Sequence, residues 1–307
     1  DRGFEVRCLV RDIGSIKWID NSKIEIFPLD LNNSEKLNEA MVGIDYIYHV
    51  AGLNFAKHKI DYYNVNTLGT HNLIEAAFRS GADIKRFVYV SSQTATGPSP
   101  SLENPVNENS PRNPVTAYGR SKKGAEDAIL AYKGQIPFTI IKPPAVLGTR
   151  DTAIFNLFQM MYYGFAAHIG LSKKYISLIF GEDLAEGIVT ASLAEIAKDQ
   201  VYFMANSEFY PWDYISEVFK VQMNRKFYFK IKVPDPIVLA VGKINETIGN
   251  IRGEQSKFDY DKAIDFTRQY WTCSAEKAKN DLGFVPSTSF EDAVKITYDW
   301  YKFHKWL

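Results

Sequence analysis

The sequence predicts an α/β protein in which a doubly wound parallel sheet, over residues 1–150, carries a smaller lobe over residues 151–307. Short apolar runs alternate with helix-period segments throughout the first half, the pattern of a parallel sheet covered on both faces. The connections between them are short and punctuated by Gly, Pro and Ser. After about residue 150 the rhythm loosens into aromatic clusters at Tyr162-Tyr163, Phe209-Tyr210-Trp212 and Tyr228-Phe229, with prolines at 211, 234 and 236. This reads as a lobe that interrupts and then finishes the sheet.

Val6, Cys8, Leu9 and Val10 predict a first strand over residues 5–10, and Ile24 to Phe27 a second that ends at Pro28-Leu29-Asp30-Leu31. Asn33 or Ser34 can cap a helix that runs through Met41 and stops at Gly43. Ile44 to Val50 is a third strand, leading into Ala51-Gly52. Val65, Leu68, Leu73, Ala76 and Ala77 mark a helix over residues 62–79, closed by Ser80-Gly81. Phe87-Val88-Tyr89-Val90 forms the centre of a buried strand that ends at Ser91, and Tyr118 to Tyr132 is a helix. Phe138 to Ile141 completes the series and runs into Pro143-Pro144.

Charge and composition exclude several classes. Across 307 residues, 36 basic side chains balance 36 acidic ones, which argues against a broad electrostatic grip on nucleic acid or an anionic membrane. No apolar run nears the roughly 20 residues that span a bilayer; the best, Ile237 to Val241, ends at Gly242-Lys243. Cys8 and Cys273 are too few for a disulfide framework, and the reduced cytoplasm is the expected compartment. The histidines at 49, 58, 71, 168 and 304 have no metal-ligand spacing, so no metal is expected.

The sharpest constellation is Tyr118-Gly119-Arg120-Ser121-Lys122. Four residues apart on a helix, a phenol and an ammonium share one face. The cation can then lower the phenol's pKa from about 10 toward neutrality, fitting it to exchange a proton with a carbinol or carbonyl. By itself such a pair is common on solvated helix surfaces. Context strengthens it: Ser91-Ser92 ends a buried strand at the carboxyl edge, where open α/β sheets bind ligands. His49-Val50-Ala51-Gly52 ends another, with small residues that let a flat ligand approach the backbone.

At these residues the chain resembles the extended short-chain dehydrogenase/reductase family, also called the NAD-dependent epimerase/dehydratase family. The matching segments are Asp30-Leu31, His49 to Gly52, Asn64 to Thr70, Phe87 to Ser92, Tyr118 to Lys122, Lys142 to Gly148, Phe180 to Ala185 and Leu282 to Pro286, in order. The resemblance implies a Rossmann-type dinucleotide-binding domain over residues 1–150 and a mainly substrate-binding lobe over 151–307. It implies Tyr118 as acid/base, Lys122 as its pKa partner and nicotinamide-ribose ligand, and Ser92 as the group orienting the substrate oxygen. Ser91 would support Ser92 and lie beside the cofactor, with Thr94 a weaker hydroxyl candidate. Asp30 would meet the adenine amino group, with Leu31 beside that ring. Ala51 and Gly52 would line the cofactor, Pro143 and Val146 would flank the nicotinamide, and Asn66 would brace strand ends near it.

The family's glycine-rich phosphate turn has no counterpart here. Asp1-Arg2-Gly3-Phe4-Glu5-Val6 is similar to the family's join between first helix and second strand, so the sequence given is expected to begin inside that helix. Val10 stands where an acid would meet the ribose, followed by Arg11, which favours NADP(H). NAD(H) is the alternative, with Arg11 paired to Asp12 or stacked on adenine. After Ser92 come Gln93-Thr94 rather than the acid pair of the dehydratases, and Lys142-Pro143-Pro144-Ala145 replaces an asparagine-bearing run usual in sugar-nucleotide epimerases. Phe155, Phe158, Tyr162, Tyr163 and Phe165 suggest an apolar wall, although most such aromatics serve as core. The pattern is nearest the dihydroflavonol reductase and 3β-hydroxysteroid dehydrogenase branch. The expectation is an oxidoreductase that interconverts a secondary alcohol and a ketone on a small-molecule substrate. A C4-type nucleotide-sugar epimerase is the alternative, and a redox-inactive scaffold a third reading. The helices at 62–79 and 116–132 suggest a homodimer, no membrane partner is expected, and the aromatic C-terminus should dock on its own lobe.

Overall fold

β1 (Arg7–Val10) and β2 (Glu25–Pro28) pair in parallel, with Arg7 opposite Glu25 and their side chains bridged at 2.7 Å. The computed structural model describes residues 3–16, 18, 19, 23–252, 256 and 258–307; Asp1 and Arg2 of the expected helix–strand join lie outside it. α1 (Ser34–Ala40) starts on Asn33, whose side chain accepts from the Lys36 N–H at 3.1 Å. β3 (Tyr46–His49) follows, then α2 (Lys59–Tyr62), a π-helical turn (Tyr63–Leu68) and α3 (Gly69–Arg79). β4 (Arg86–Val90), α4 (Ala117–Leu130) and β5 (Phe138–Lys142) complete the first half.

The doubly wound character lies in the strand faces. Phe87 and Tyr89 of β4, and Phe138 and Ile140 of β5, join Leu37, Leu73, Ile74 and Ile129 in one core. Val88 and Ile141, on the opposite pleat, join a second core with Leu184, Ile188 and Tyr202. Residues buried on both faces require cover on both sides, and this explains why these strands read as continuous apolar runs.

The second half begins with β6 (Ala145–Leu147), α5 (Phe155–Tyr162), β7 (Phe165–Ile169), β8 (Tyr175–Ile176), β9 (Leu178–Phe180) and α6 (Gly181–Leu193). β10 (Gln200–Phe203) then returns to pair with β5, giving a parallel sheet of order β10-β5-β4-β3. β11 (Tyr210–Pro211), α7 (Trp212–Gln222), β12 (Phe229–Val233), α8 (Asp235–Arg252) and α9 (Tyr260–Thr267) follow. β13 (Tyr270–Trp271), α10 (Glu276–Leu282) and α11 (Phe290–Phe303) close the chain.

Three expectations shift. The helix expected over 62–79 starts at Lys59 and is broken by the π-helical turn, because Asn66 is drawn to the end of β3 (below). The strands are shorter than read, β3 covering Tyr46–His49 rather than 44–50. Phe155, Phe158 and Tyr162 belong to a third core, with Phe158 4.6 Å from Phe219 and Phe155 5.1 Å from Tyr301, while Tyr163 and Phe165 are exposed. Three of those five aromatics therefore serve as core rather than as a pocket wall. The C-terminus packs on its own lobe, Trp306 stacking on Tyr301 at 5.5 Å.

Candidate active site

Two strand ends and one helix make the site. β4 delivers Ser91 and Ser92, and Ser92 starts a short 3-10 turn (Gln93–Ala95) by accepting from the Thr94 N–H at 3.2 Å. The Thr94 hydroxyl also donates to Ser92 at 2.9 Å, which fixes the serine rotamer. α4 begins at Thr116, whose side chain accepts from the Gly119 N–H at 3.0 Å. Gly119 lets the helix seat against that turn, since a Cβ there would run into the Thr94 carbonyl oxygen. Tyr118 is thereby brought near Ser92, close enough for the serine hydroxyl to bear on the phenol.

Burial pushes the Tyr118 phenol up to about 12, with the nearby Ser92 hydroxyl opposing the rise. Lys122 moves the other way, down to about 7, because burial penalises its cation more than Glu126 supports it. Its Nζ donates to the Val90 carbonyl at 2.8 Å and stands 4.4 Å from the centre of the Tyr89 ring. The expected lowering of the phenol by Lys122 is therefore not a feature of this arrangement: the ammonium is turned to the end of β4.

Asn66 ties the third strand end into the same cluster. It accepts from the Leu53 N–H at 2.7 Å, donates to the Leu53 carbonyl at 3.1 Å, and donates to the Ser121 hydroxyl at 3.0 Å. Gly52 is held beside it, and a Cβ there would lie 3.3 Å from Asn66 Oδ1 and 3.7 Å from Lys122 Nζ. Behind the strand, His49 bonds Thr70 at 2.8 Å; burial first, and Lys122 second, hold its pKa down to about 3.

Glu126 is the functional-site residue that motif reading missed. One turn beyond Lys122, it accepts from the Ser91 hydroxyl and from Lys142 at 3.1 Å, and Arg112 lies at 3.4 Å. Lys142 and Glu126 side chains are both 3% exposed. Ser91 is thus committed to a buried carboxylate behind the site, a departure from its expected place beside the cofactor. The signal was present in the spacing: Tyr118, Lys122 and Glu126 repeat every four residues on one helix face. Asp261 and Asp265 of α9 were not foreseen either. Asp261 accepts from the Ala117 N–H at 2.5 Å at the start of α4. Burial raises Asp265 to about 6, and its charge bears on Tyr62 and Tyr118.

The sequence model described as the NAD dependent epimerase/dehydratase family matches residues 1–205. The chain belongs to this family. Its relatives are NAD-dependent epimerases, dehydratases and dehydrogenases, and it is an enzyme of that kind. It is 27% identical to the ceramide reductase of Caulobacter vibrioides over 99% of this chain and 89% of that protein. It is 24% identical to the sterol-4-alpha-carboxylate 3-dehydrogenase (decarboxylating) of Candida albicans, over 97% of this chain and 88% of that protein. Among solved structures it shares its fold with the UDP-glucuronic acid 4-epimerase of Bacillus cereus in complex with NAD (TM-score 0.72, 19% identity, 95% of this chain and 84% of that one).

The remaining candidate residues of this epimerase/dehydratase family member lie at the carboxyl ends of its strands. Arg11 is exposed directly after β1, and Asp30 is exposed two residues past β2, accepting from the Asn32 N–H at 2.9 Å. Leu31 packs on Gly69, where a Cβ would come 3.3 Å from its Cδ1. Ala51 and Gly52 are exposed after β3, whereas Pro143 is buried and Val146 lies in β6 opposite Ile179. A dinucleotide fits the side-chain-free approach at Gly52 beside the Lys122 ammonium, while the Asp30 carboxylate and the Arg11 guanidinium follow β2 and β1, which pair as a separate two-stranded sheet. Among the described residues no group of three His, Cys, Asp or Glu is placed to hold a metal ion.

Proposed function

We propose that this protein is an NADP(H)-using oxidoreductase that interconverts a secondary alcohol and a ketone on an apolar, lipid-like substrate. The observation that carries the reading is the convergence of Ser92, Tyr118 and Lys122 where β4 ends against the start of α4, at the carboxyl edge of the parallel sheet. In the reducing direction Ser92 and Tyr118 hold the ketone oxygen, and Tyr118 passes its proton to that oxygen as the carbonyl carbon gains a hydride. The nicotinamide supplies that hydride when bound. A phenol near 12 remains protonated throughout the ordinary pH range, so Tyr118 is charged for donation, the role of a general acid. Lys122, Ala51, Gly52 and Asn66 form the ribose end of the cofactor site, and Pro143 and Val146 flank the nicotinamide. Asp30 and Leu31 take the adenine, and Arg11 the 2′-phosphate that selects NADP(H).

Two features support this reaction over its relatives. Behind Ser92 stand Gln93, which is buried, and Thr94, which is bonded to Ser92; neither is the acid an elimination needs. Two of the proteins similar along almost the whole chain are named for ceramide and sterol chemistry. Exposed Leu68, Phe78 and Leu130 beside and on α3 and α4 support a homodimer through those helices.

The test is a cofactor titration followed by turnover. The protein should quench or enhance NADPH fluorescence more strongly than NADH fluorescence, and oxidise NADPH when given a long-chain or steroidal ketone. Interconversion of UDP-sugars without net cofactor turnover, or no dinucleotide binding at all, would overturn the reading.

A further inference from the structure

Helix α8 presents to solvent the kind of face that globular proteins normally bury. Ile237, Val241, Ile244, Ile248 and Ile251 recur at intervals of four, three, four and three residues. At 100° per residue they fall on one narrow stripe. All five are exposed, by 42–79%. The opposite side of the helix is fixed in place. Val238, Gly242 and Gly249 are buried, and a Cβ on Gly242 would come 2.6 Å from that of Ala263 and 2.8 Å from the Asp259 carbonyl oxygen. With Gly242 pressed this closely on α9, α8 cannot roll its stripe inward.

Charge decides what the stripe meets. The exposed charged residues of α8 are cations, Arg252 and Lys243, the latter 66% exposed while it pairs with Glu246. Its two acids are drawn aside: Asp235 pairs with Lys174 at 3.4 Å, and Glu246 with Lys59 at 3.2 Å as well as with Lys243 at 3.1 Å. An apolar stripe with cationic edges matches an anionic lipid surface. A second copy of the chain would instead set the same cations against each other.

The inner side of α8 gives the arrangement a purpose. Glu246, Gly249 and Asn250 line, with His58, Lys59 and Tyr62, a cleft of about 260 Å³. The Tyr62 ring stands edge-on to Tyr118 at 5.9 Å. One helix thus separates the outer apolar face from a cleft whose wall includes Tyr62, the ring that packs on the site tyrosine.

We propose that α8 is an interfacial helix that docks this protein on an anionic lipid surface, so that a substrate with an apolar tail passes from the bilayer to the cleft beside Tyr62. The proposal rests, for its substrate, on the lipid-like reading above. It also departs from the expectation of no membrane partner. That expectation considered only bilayer-spanning runs and the net charge of zero, which averages away a local cationic face.

The full chain is to be sedimented with sucrose-loaded vesicles of phosphatidylcholine, with and without phosphatidylglycerol. Partitioning should be at least roughly tenfold stronger into the anionic vesicles, given two cations at the surface, and should fall with added salt. The double variant Ile244→Gln/Ile248→Gln should lose at least roughly tenfold of that partitioning. Its turnover of a short, water-soluble ketone should be unchanged. No vesicle binding, equal binding by the double variant, or a concentration-dependent dimer that the double variant abolishes would overturn the proposal. Vesicle binding with no ketone reduction would sink the functional reading alone, and ketone reduction without vesicle binding would sink this one alone.

Discussion

Tyr118 and Lys122 sit one helical turn apart, and burial drives them in opposite directions, the phenol to about 12 and the ammonium to about 7. Of the two, only Lys122 titrates near neutrality. The kcat/KM for ketone reduction should therefore fall as pH rises through about 7, where the free enzyme loses the Lys122 cation, and Lys122→Met should remove that limb while lowering the plateau. A profile flat from pH 6 to 9 would count against this assignment. Tyr118→Phe removes the proton donor but little volume; turnover should drop at least roughly a hundredfold with the cofactor Kd nearly unchanged, as titration and steady-state kinetics together would show. Glu126 acts at one remove. It joins α4 to Ser91 of β4 and Lys142 of β5, so it sets where Ser92 lies relative to Tyr118. Glu126→Gln leaves Lys142 buried without a full counterion, and a thermal melt should show a loss of about 3 kcal/mol, the usual consequence of breaking a buried pair.

At the scale of elements, what could be read from the sequence followed from how completely packing constrains a segment. β4 and β5 were legible because both pleats are buried, leaving apolar residues at successive positions. The end of α3 was legible through Ser80-Gly81, and the φ of +65° at Gly81 suits glycine. The π-helical turn was not legible, because its cause is not local: an ordinary helical period carries no sign that Asn66 must reach Leu53 and Ser121. Within the site, the Ser92–Tyr118–Lys122 set was readable from motif order, but the direction in which Lys122 points depends on the Val90 carbonyl, which no side-chain pattern encodes. Helix α8 had a legible stripe whose meaning lay in exposure, which only packing reveals. The bracing role of Asn66 can be measured. Asn66→Ala strands the Leu53 N–H, so hydrogen exchange at Leu53 should accelerate, with a stability loss of about 2 kcal/mol in denaturant titration. Unchanged protection at Leu53 would show that the loop after β3 is held some other way.

For the molecule as a whole, the charge balance of 36 against 36 conceals buried groups that make stability depend on pH. His49 is the clearest case, its side chain between β3 and Thr70 and its pKa lowered from 6.5 to about 3 by burial and by Lys122. A lowered histidine pKa means that the unfolded chain takes up a proton below about 6.5 while the folded chain stays neutral down to about 3. The unfolded state therefore binds more protons through that window, and stability falls as pH falls from 6.5 to 3. A shift of that size corresponds to about 4–5 kcal/mol lost over the whole window at one proton. Carboxylates with depressed pKa values add to the same acid limb, so the histidine share has to be isolated by substitution. His49→Gln keeps a polar partner for Thr70 but cannot titrate. It should be less stable than the parent at pH 7, and the gap should narrow or reverse by pH 4. Urea midpoints for both proteins at the two pH values measure this directly. Parallel acid limbs in parent and variant would show that His49 does not govern the acid sensitivity of the fold.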